Sequence, residues 1–492
     1  MSDDSPRQGR SWWTDPQSLR ALQSRLVVLA LITTSVLLAL AGLSIPGGAS
    51  DSGNAANPSG ASIDRVGGQV GDAAARPAFD GALLPSEVGD PVVRRQALVE
   101  QLRARASAVL ARNAGAYLAS VDPDNPRARQ AAAQTQSRLA ALPFAAYDYS
   151  ITDVTSDLGG TDVDPSARAY AQVDLTYQLT AFDPLPARVS LTIEFVHRDD
   201  GWKIVTESSR GLGRAPWQAG DLQVIRGAHS LVIGVGGSSR DAARSKLVAY
   251  SRTADRAVTA VSRVWGTGWN QRVVLVIPST TSTLASLLGR TTDSLDKIAA
   301  ITTDETGSQD RPTPGQNGST QNGSTQGAER VWVNAALMST LSPQGRAIVL
   351  RHEILHVASD APAVAATPLW LEEGLAELVG YAGSGVRLPV ALQELIVDAK
   401  AGQYPRKLAR SDDFGPTSAG LAQAYEESHL AMVLIASKIG TQGLVRLYRD
   451  VAAGDPRTPD DNFAQALSDA TGWDDAGLLG AMRDQLRAFA NS

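Results

Sequence analysis

The spacing of apolar residues along this chain changes character several times, and each change predicts an element or a boundary. Residues 26–45 run for twenty positions without a charge, long enough to cross a bilayer core as one helix. Arg7, Arg10, Arg20 and Arg25 precede the run and Asp51 follows it, so the positive-inside bias predicts a cytoplasmic tail at 1–25 and an exported remainder. Ala39-Leu40-Ala41 resembles a small-residue cleavage site, but the long leading segment and the length of the run favour an uncleaved transmembrane anchor. Residues 46–91, rich in Gly, Ser, Ala, Asp and Asn, predict a flexible linker.

From Val92 the pattern becomes periodic. Leu98, Leu102, Ala106 and Leu110 recur at helical spacing within 93–121, and 127–142 predicts a second helix. Alternation then takes over, predicting strands at 147–154, 169–179, 189–197 and 202–205, with Asp199-Asp200-Gly201 turning the last pair. Helices followed by an antiparallel meander predict an α+β accessory domain over 92–227. A second domain, 228–492, opens with strands at 231–235 and 273–277 around a helix at 241–264. Residues 303–329 are low-complexity, with Gln-Asn-Gly-Ser-Thr occurring at 316–320 and again at 321–325, and predict a loop without a core. A passive insertion is preferred there to a gate over a cleft. Residues 330–334 alternate like a strand, which is expected to pair with extended peptides. Helical patterns at 388–401, 421–439, 443–452 and 475–490 complete a helical C-terminal subdomain.

Composition removes several function classes. The chain of 492 residues has a formal net charge of −6 and a pI near 5.5, which gives no support for nucleic-acid binding. It has no cysteine, which excludes disulfides, a thiol nucleophile and a Cys-ligated metal. Arginine far outnumbers lysine and alanine is abundant, as in proteins of GC-rich bacteria, so the two Asn-Gly-Ser sequons carry little weight.

Against this background one pentapeptide stands out. His352-Glu353-Ile354-Leu355-His356 uses two of only five histidines, inside a segment that reads as a helix. Ser342 suits its N-cap, Pro343 its first turn, and 359–362 its end. Residues four apart share a helix face, so His352 and His356 can reach one metal ion. Glu353 follows the first ligand directly, placing a carboxylate beside the water on that metal without ligating it.

His-Glu-x-x-His followed by Trp370-Leu371-Glu372-Glu373-Gly374-Leu375-Ala376-Glu377 resembles the gluzincin branch of the zinc metallopeptidases. The resemblance implies a zincin-like domain, one Zn²⁺ per chain, a peptide or protein substrate and Glu373 as third ligand, with Glu372 the competing choice. Sixteen residues separate His356 from Glu373, slightly fewer than in the aminopeptidase members. Ala424-Tyr425-Glu426-Glu427 looks like their Tyr-Glu-Lys-Gly segment, which gives Tyr425 the role of oxyanion donor, with His429 one turn later as the alternative. No Gly-Ala-Met-Glu-Asn-like segment is present, so endo- and exopeptidase remain equally open. Glu377, Glu372 and Asp360 are candidates to orient the ligand histidines. The accessory domain, ending in Trp202-Lys203-Ile204-Val205 and Ala215-Pro216-Trp217, resembles the cone-shaped nuclear-transport-factor fold, with His197 at an edge rather than in a site.

Together these readings predict a membrane-anchored, extracytoplasmic zinc peptidase. The alternative is a non-catalytic ligand- or cell-wall-binding protein on an idle zincin scaffold.

Overall fold

A computed structural model of the chain describes residues 27–30, 90–155, 168–210, 213–237, 241–305, 327–361, 366–415 and 418–492. Most of the expected linker and low-complexity loop therefore lie outside the described residues.

α1 (Pro91–Leu110) begins at Asp90, whose side chain accepts from the N–H groups of Val92 and Val93, with Pro91 at a position that needs no donor. Arg112 at φ 53° interrupts the helix expected over 93–121, and Asn113 caps a new one, α2 (Ala114–Ala119). α3 (Pro126–Leu139) is capped by Asn125. β2 (Phe144–Thr155), β3 (Arg168–Leu179), β4 (Ala187–Arg198) and β5 (Gly201–Ser209) pair antiparallel in chain order. Alternate residues of β3 (Ala169, Ala171, Val173, Leu175, Tyr177, Leu179) are buried, and α1 packs on β2. A polar cluster that no sequence pattern marks lies inside this unit: buried Arg105 donates to Ser120 Oγ (2.7 Å) and meets Tyr117 and Glu207.

After α4 (Pro216–Ala219), a six-stranded sheet runs in the order β1-β9-β10-β8-β7-β6. Its strands are β1 (Val27–Ala30), β6 (Leu222–Arg226), β7 (Ser230–Val235), β8 (Val273–Pro278), β9 (Ile298–Asp304) and β10 (Glu329–Val333). β6 falls within the range expected for the first unit, yet it hydrogen-bonds to β7 of this sheet. α5 (Asp241–Trp265) links the parallel pair β7 and β8, and α6 (Thr281–Leu288) follows β8. β10 was expected to receive peptides. It is instead flanked on both sides, parallel to β8 and antiparallel to β9, because its fully buried run Glu329–Val333 suits an interior strand.

The two faces of this sheet bury different partners. Val232, Val273, Leu275, Ala300, Val331 and Val333 join one core with helices of the C-terminal half. Leu231, Ile233, Val274, Val276, Ile301 and Trp332 join a second core that is continuous with the interior of the first unit. Period-two alternation thus serves two layers at once.

The helical half comprises α7 (Ala335–Thr340), α8 (Pro343–Ser359), α9 (Leu369–Tyr381), α10 (Leu388–Ala391), α11 (Gln393–Lys400), α12 (Leu421–Ala452), α13 (Pro459–Thr471) and α14 (Asp475–Ala490). α12 is long and apolar enough to cross a membrane by length and composition alone, but it packs against α9, α13 and α14 as a core helix. Gly440, at φ 74° and ψ 160°, breaks it where the sequence separates 421–439 from 443–452.

The transmembrane helix expected at 26–45 lies outside the described residues except at Val27–Ala30, and there the structure differs. Those four residues form a strand paired antiparallel with β9, Val27 opposite Thr302 and Val28 opposite Ile301. Val27–Ala30 cover the outer edge of β9, and β-branched valines suit a strand as well as an apolar span.

Candidate metal centre

α8 forms where its sequence signals place it. Ser342 Oγ accepts from Gly345 N (3.0 Å), Pro343 takes the first turn, and Asp360 closes the helix in the left-handed region at φ 58°. His352, Glu353 and His356 are all fully buried. α9 crosses beside them, and two of its glycines let it approach closely on two sides. A Cβ on Gly374 would lie 2.5 Å from Ser428 O of α12, and one on Gly380 would lie 3.2 Å from Ile348 O of α8.

This brings Glu373 onto the histidines. Its Oε2 lies 3.1 Å from His352 Nε2 and 3.6 Å from His356 Nε2. Ligand atoms of all three residues fall within 4.8 Å of one another. Glu377, one turn further on α9, places Oε1 3.0 Å from His352 Nδ1. A carboxylate this close to Nδ1 favours a proton there and leaves the Nε2 lone pair for a metal, the usual arrangement behind a ligand histidine, though Nδ1 makes no hydrogen bond of good geometry to it.

The electrostatics call for a cation. Burial disfavours a charged His352, but the Glu373 and Glu377 carboxylates outweigh it and push the imidazole up to about 10. Burial would likewise raise Glu373, yet the hydrogen bond with His352 and the nearby His356 imidazole hold it below the usual carboxylate range. His356, with burial dominant, is pushed down. Among the described residues, His356 Nε2 and Glu373 Oε1 are buried without a hydrogen-bond partner. Such atoms are costly unless something binds them. Two imidazole nitrogens and one carboxylate oxygen fit a tetrahedral zinc with a fourth position open.

Glu353 lies beside this set. Burial pushes its carboxyl up to about 7, against the lowering effects of His352 and of Thr302. Thr302 Oγ1 sits 2.7 Å from Glu353 Oε2 and 3.1 Å from the Glu353 carbonyl oxygen. β9, and with it Thr302, is absent from the strands expected from the sequence; the β-branched run Ile301-Thr302-Thr303 is its one signal, too short beside Ala299 and Ala300 to define a period.

The remaining candidates separate. Tyr425 is buried on α12 with its ring 6.3 Å from the His352 ring and 5.2 Å from that of Phe414. His429 stacks on Tyr381 at 5.1 Å and lines a cavity of about 290 Å³ with Leu378, Val386 and Leu388. Its burial pushes it toward the neutral form. Glu372 does not join the three-donor group. Burial and the charge of Glu373 raise its carboxyl well above the ordinary range, and its charge is felt at Tyr448. The reason is helical geometry, since adjacent residues on α9 point about 100° apart. Asp360 turns its backbone N–H to the carbonyls of His356 and Val357, closing α8. His197, as expected, lies away from this centre, against Trp202 at the β4–β5 hairpin.

No family model matches the chain, and no curated protein does. One solved structure, a mutant M1 zinc metallopeptidase from Deinococcus radiodurans bound to a Tyr-Ser-Ala substrate, aligns with 66% of this chain and 90% of its own. Identity is 11% and the TM-score 0.28, too low to carry an argument about fold or activity.

Proposed function

We propose that the chain is a gluzincin-type zinc peptidase. The observation that carries this is the convergence of His352, His356 and Glu373, buried and with unsatisfied ligand atoms, beside the carboxylate of Glu353. His352, His356 and Glu373 would hold zinc, which when bound would supply Lewis-acid polarisation of a water. Glu353 would accept a proton from the attacking water and return it to the leaving amine nitrogen. Tyr425 donates to the developing oxyanion, and Glu377 holds His352 in its ligating orientation. His429, facing its own cavity, is the weaker candidate for the oxyanion role.

An extended substrate would pair along the outer edge of β9 in place of Val27–Ala30, which hold that edge in an antiparallel register. That edge runs next to α8 and carries Thr302 against Glu353.

The test is a chelator-sensitive peptidase assay with the metal content of each preparation measured. Wild type should hold one zinc per chain and cleave peptides. Glu353→Gln should retain the zinc and lose at least about 10³-fold in rate, as when an essential proton-transfer group is removed. Full activity in a zinc-replete Glu353→Gln sample would exclude this mechanism.

The reading includes an extracytoplasmic position with residues 26–45 as anchor, supported by the charge asymmetry of the sequence. A membrane span and a β9-paired strand cannot use Val27–Ala30 at the same time. An anchored chain should stay with membranes through alkaline carbonate extraction and leave only with detergent. Release by carbonate would discard the anchor.

A further inference from the structure

We infer that Thr302 is a positioning residue for Glu353, fixing one carboxylate oxygen so that the other is presented to the reacting water. This rests on the peptidase reading above. Thr302 is fully buried on β9, on the side of the sheet that faces α8. Its hydroxyl lies 2.7 Å from Glu353 Oε2 and 3.1 Å from the carbonyl oxygen of the same residue. The hydroxyl is thus bracketed by the backbone and the side chain of Glu353.

The arrangement treats the two oxygens of the carboxylate unequally. Oε2 is engaged by Thr302, whereas Oε1 is buried and has no hydrogen-bond partner among the described residues. A glutamate has three side-chain torsions to restrain, and a helix backbone fixes few of them. Threonine, β-branched and stiff at χ1, is a firm anchor for the far end. Losing that contact leaves Glu353 in place on α8 but free to turn Oε1 away from the water, and orientation of this kind governs rate more than binding.

β9 gives the contact a second consequence. The strand that holds Glu353 by a side chain is the one whose outer edge pairs with an extended segment. Peptides that take the place of Val27–Ala30 along β9 steady Thr302, and through it the base. Lengthening a substrate should then raise kcat, beyond any fall in KM.

The experiment has two arms. In the first, thermal unfolding of the metal-free full chain is measured for Thr302→Val in the native and in the Glu353→Met backgrounds. Thr302→Val should lower Tm more in the native background, where it strands a buried carboxyl oxygen, than beside Glu353→Met, where only the contact to the residue 353 carbonyl remains to be lost. Equal shifts in both backgrounds would overturn the inference. In the second arm, an internally quenched peptide from a library screen is assayed in short and extended forms with zinc content monitored. Thr302→Val should keep its zinc, hold KM within about twofold and lose roughly 10- to 100-fold in kcat, the range seen when orienting partners of a site are removed. Thr302→Ser, which keeps the hydroxyl, should recover most of that loss, and the gain in kcat with substrate length should vanish in Thr302→Val alone. If wild type with zinc cleaves no peptide, the peptidase reading falls and the inference with it. If wild type is active and Thr302→Val is equally fast, the inference alone falls.

Discussion

At the scale of single residues, the ligand set depends as much on what is missing beside it as on the ligands. Gly374 follows Glu373, and any side chain there would run into the backbone of α12, with Ser428 O 2.5 Å and Ser428 C 2.9 Å from an added Cβ. A carbonyl cannot swing away as a flexible side chain can, so Gly374→Ala must push α9 and α12 apart. Overpacking of this kind costs about 1–3 kcal/mol, and here the displacement is passed directly to the Glu373 carboxylate. Gly374→Ala should therefore lower Tm and weaken zinc binding together, read by thermal unfolding and by competition with a chromogenic chelator. A variant that lost stability with unaltered zinc affinity would show that the close approach serves packing alone. Gly383, where φ is +66° and open space surrounds the Cα, gives a contrasting case: a substitution there is strained by backbone conformation without reaching the ligands.

At the scale of elements, capping decides where the helices of the site begin, and one of these caps is unusual. Glu426 of α12, 8% exposed, accepts from the backbone N–H groups of Glu394 (3.2 Å) and Leu395 (2.8 Å), and so anchors the first turn of α11. Burial pushes its carboxyl up to about 8 from 4.5, and those two N–H groups only partly offset the effect. A folded-state pKa above the unfolded one means that the folded chain holds this proton more firmly. The contribution to stability is complete below about 4.5, declines as pH rises, and is gone above about 8. Glu426→Gln keeps an acceptor for the N–H groups and cannot titrate. Its Tm relative to wild type should therefore improve steadily between pH 5 and 8, and parallel curves would contradict the assignment. The same scale shows what could be read without coordinates. α8 was legible because a serine cap, a proline and an apolar face agree within a few residues, and α9 because its motif is local. β9 was not, because Ala299 and Ala300 are adjacent and buried and blur the two-residue period. Thr302 lies fifty-one positions from Glu353, beyond any local pattern. The apolar run at 26–45 satisfies the requirements of a membrane span and of a strand alike, and its composition does not choose between them.

At the scale of the whole molecule, the first unit packs as one wall of the six-stranded sheet. Its loop after β3 and the start of β4 dock on the ends of β8, β9 and β10. Asn270 Nδ2 donates to Phe182 O (2.9 Å), Arg188 N donates to Glu305 O (2.9 Å), and Arg330 forks onto Asp183 with N–O distances of 2.6 and 2.8 Å. That ion pair is buried, with side chains 2% and 0% exposed, and the Tyr177 ring lies 5.8 Å from the guanidinium. Removing one partner strands the other charge in the interior, a loss of about 3–5 kcal/mol, whereas replacing both by apolar groups restores much of it. Arg330 is on β10, next to the strand that carries Thr302, so damage here should reach the metal site. Asp183→Asn should lower one shared unfolding transition, monitored both by tryptophan fluorescence and by zinc release, and the double change Asp183→Leu with Arg330→Met should recover part of the shift. Two separate transitions, with zinc release indifferent to Asp183→Asn, would mean that the units fold independently. One shared transition would mean that a chain cut at residue 228 exposes Leu231, Ile233, Val274, Val276 and Trp332 at once, so the half that carries His352, His356 and Glu373 cannot be studied without the unit that covers it.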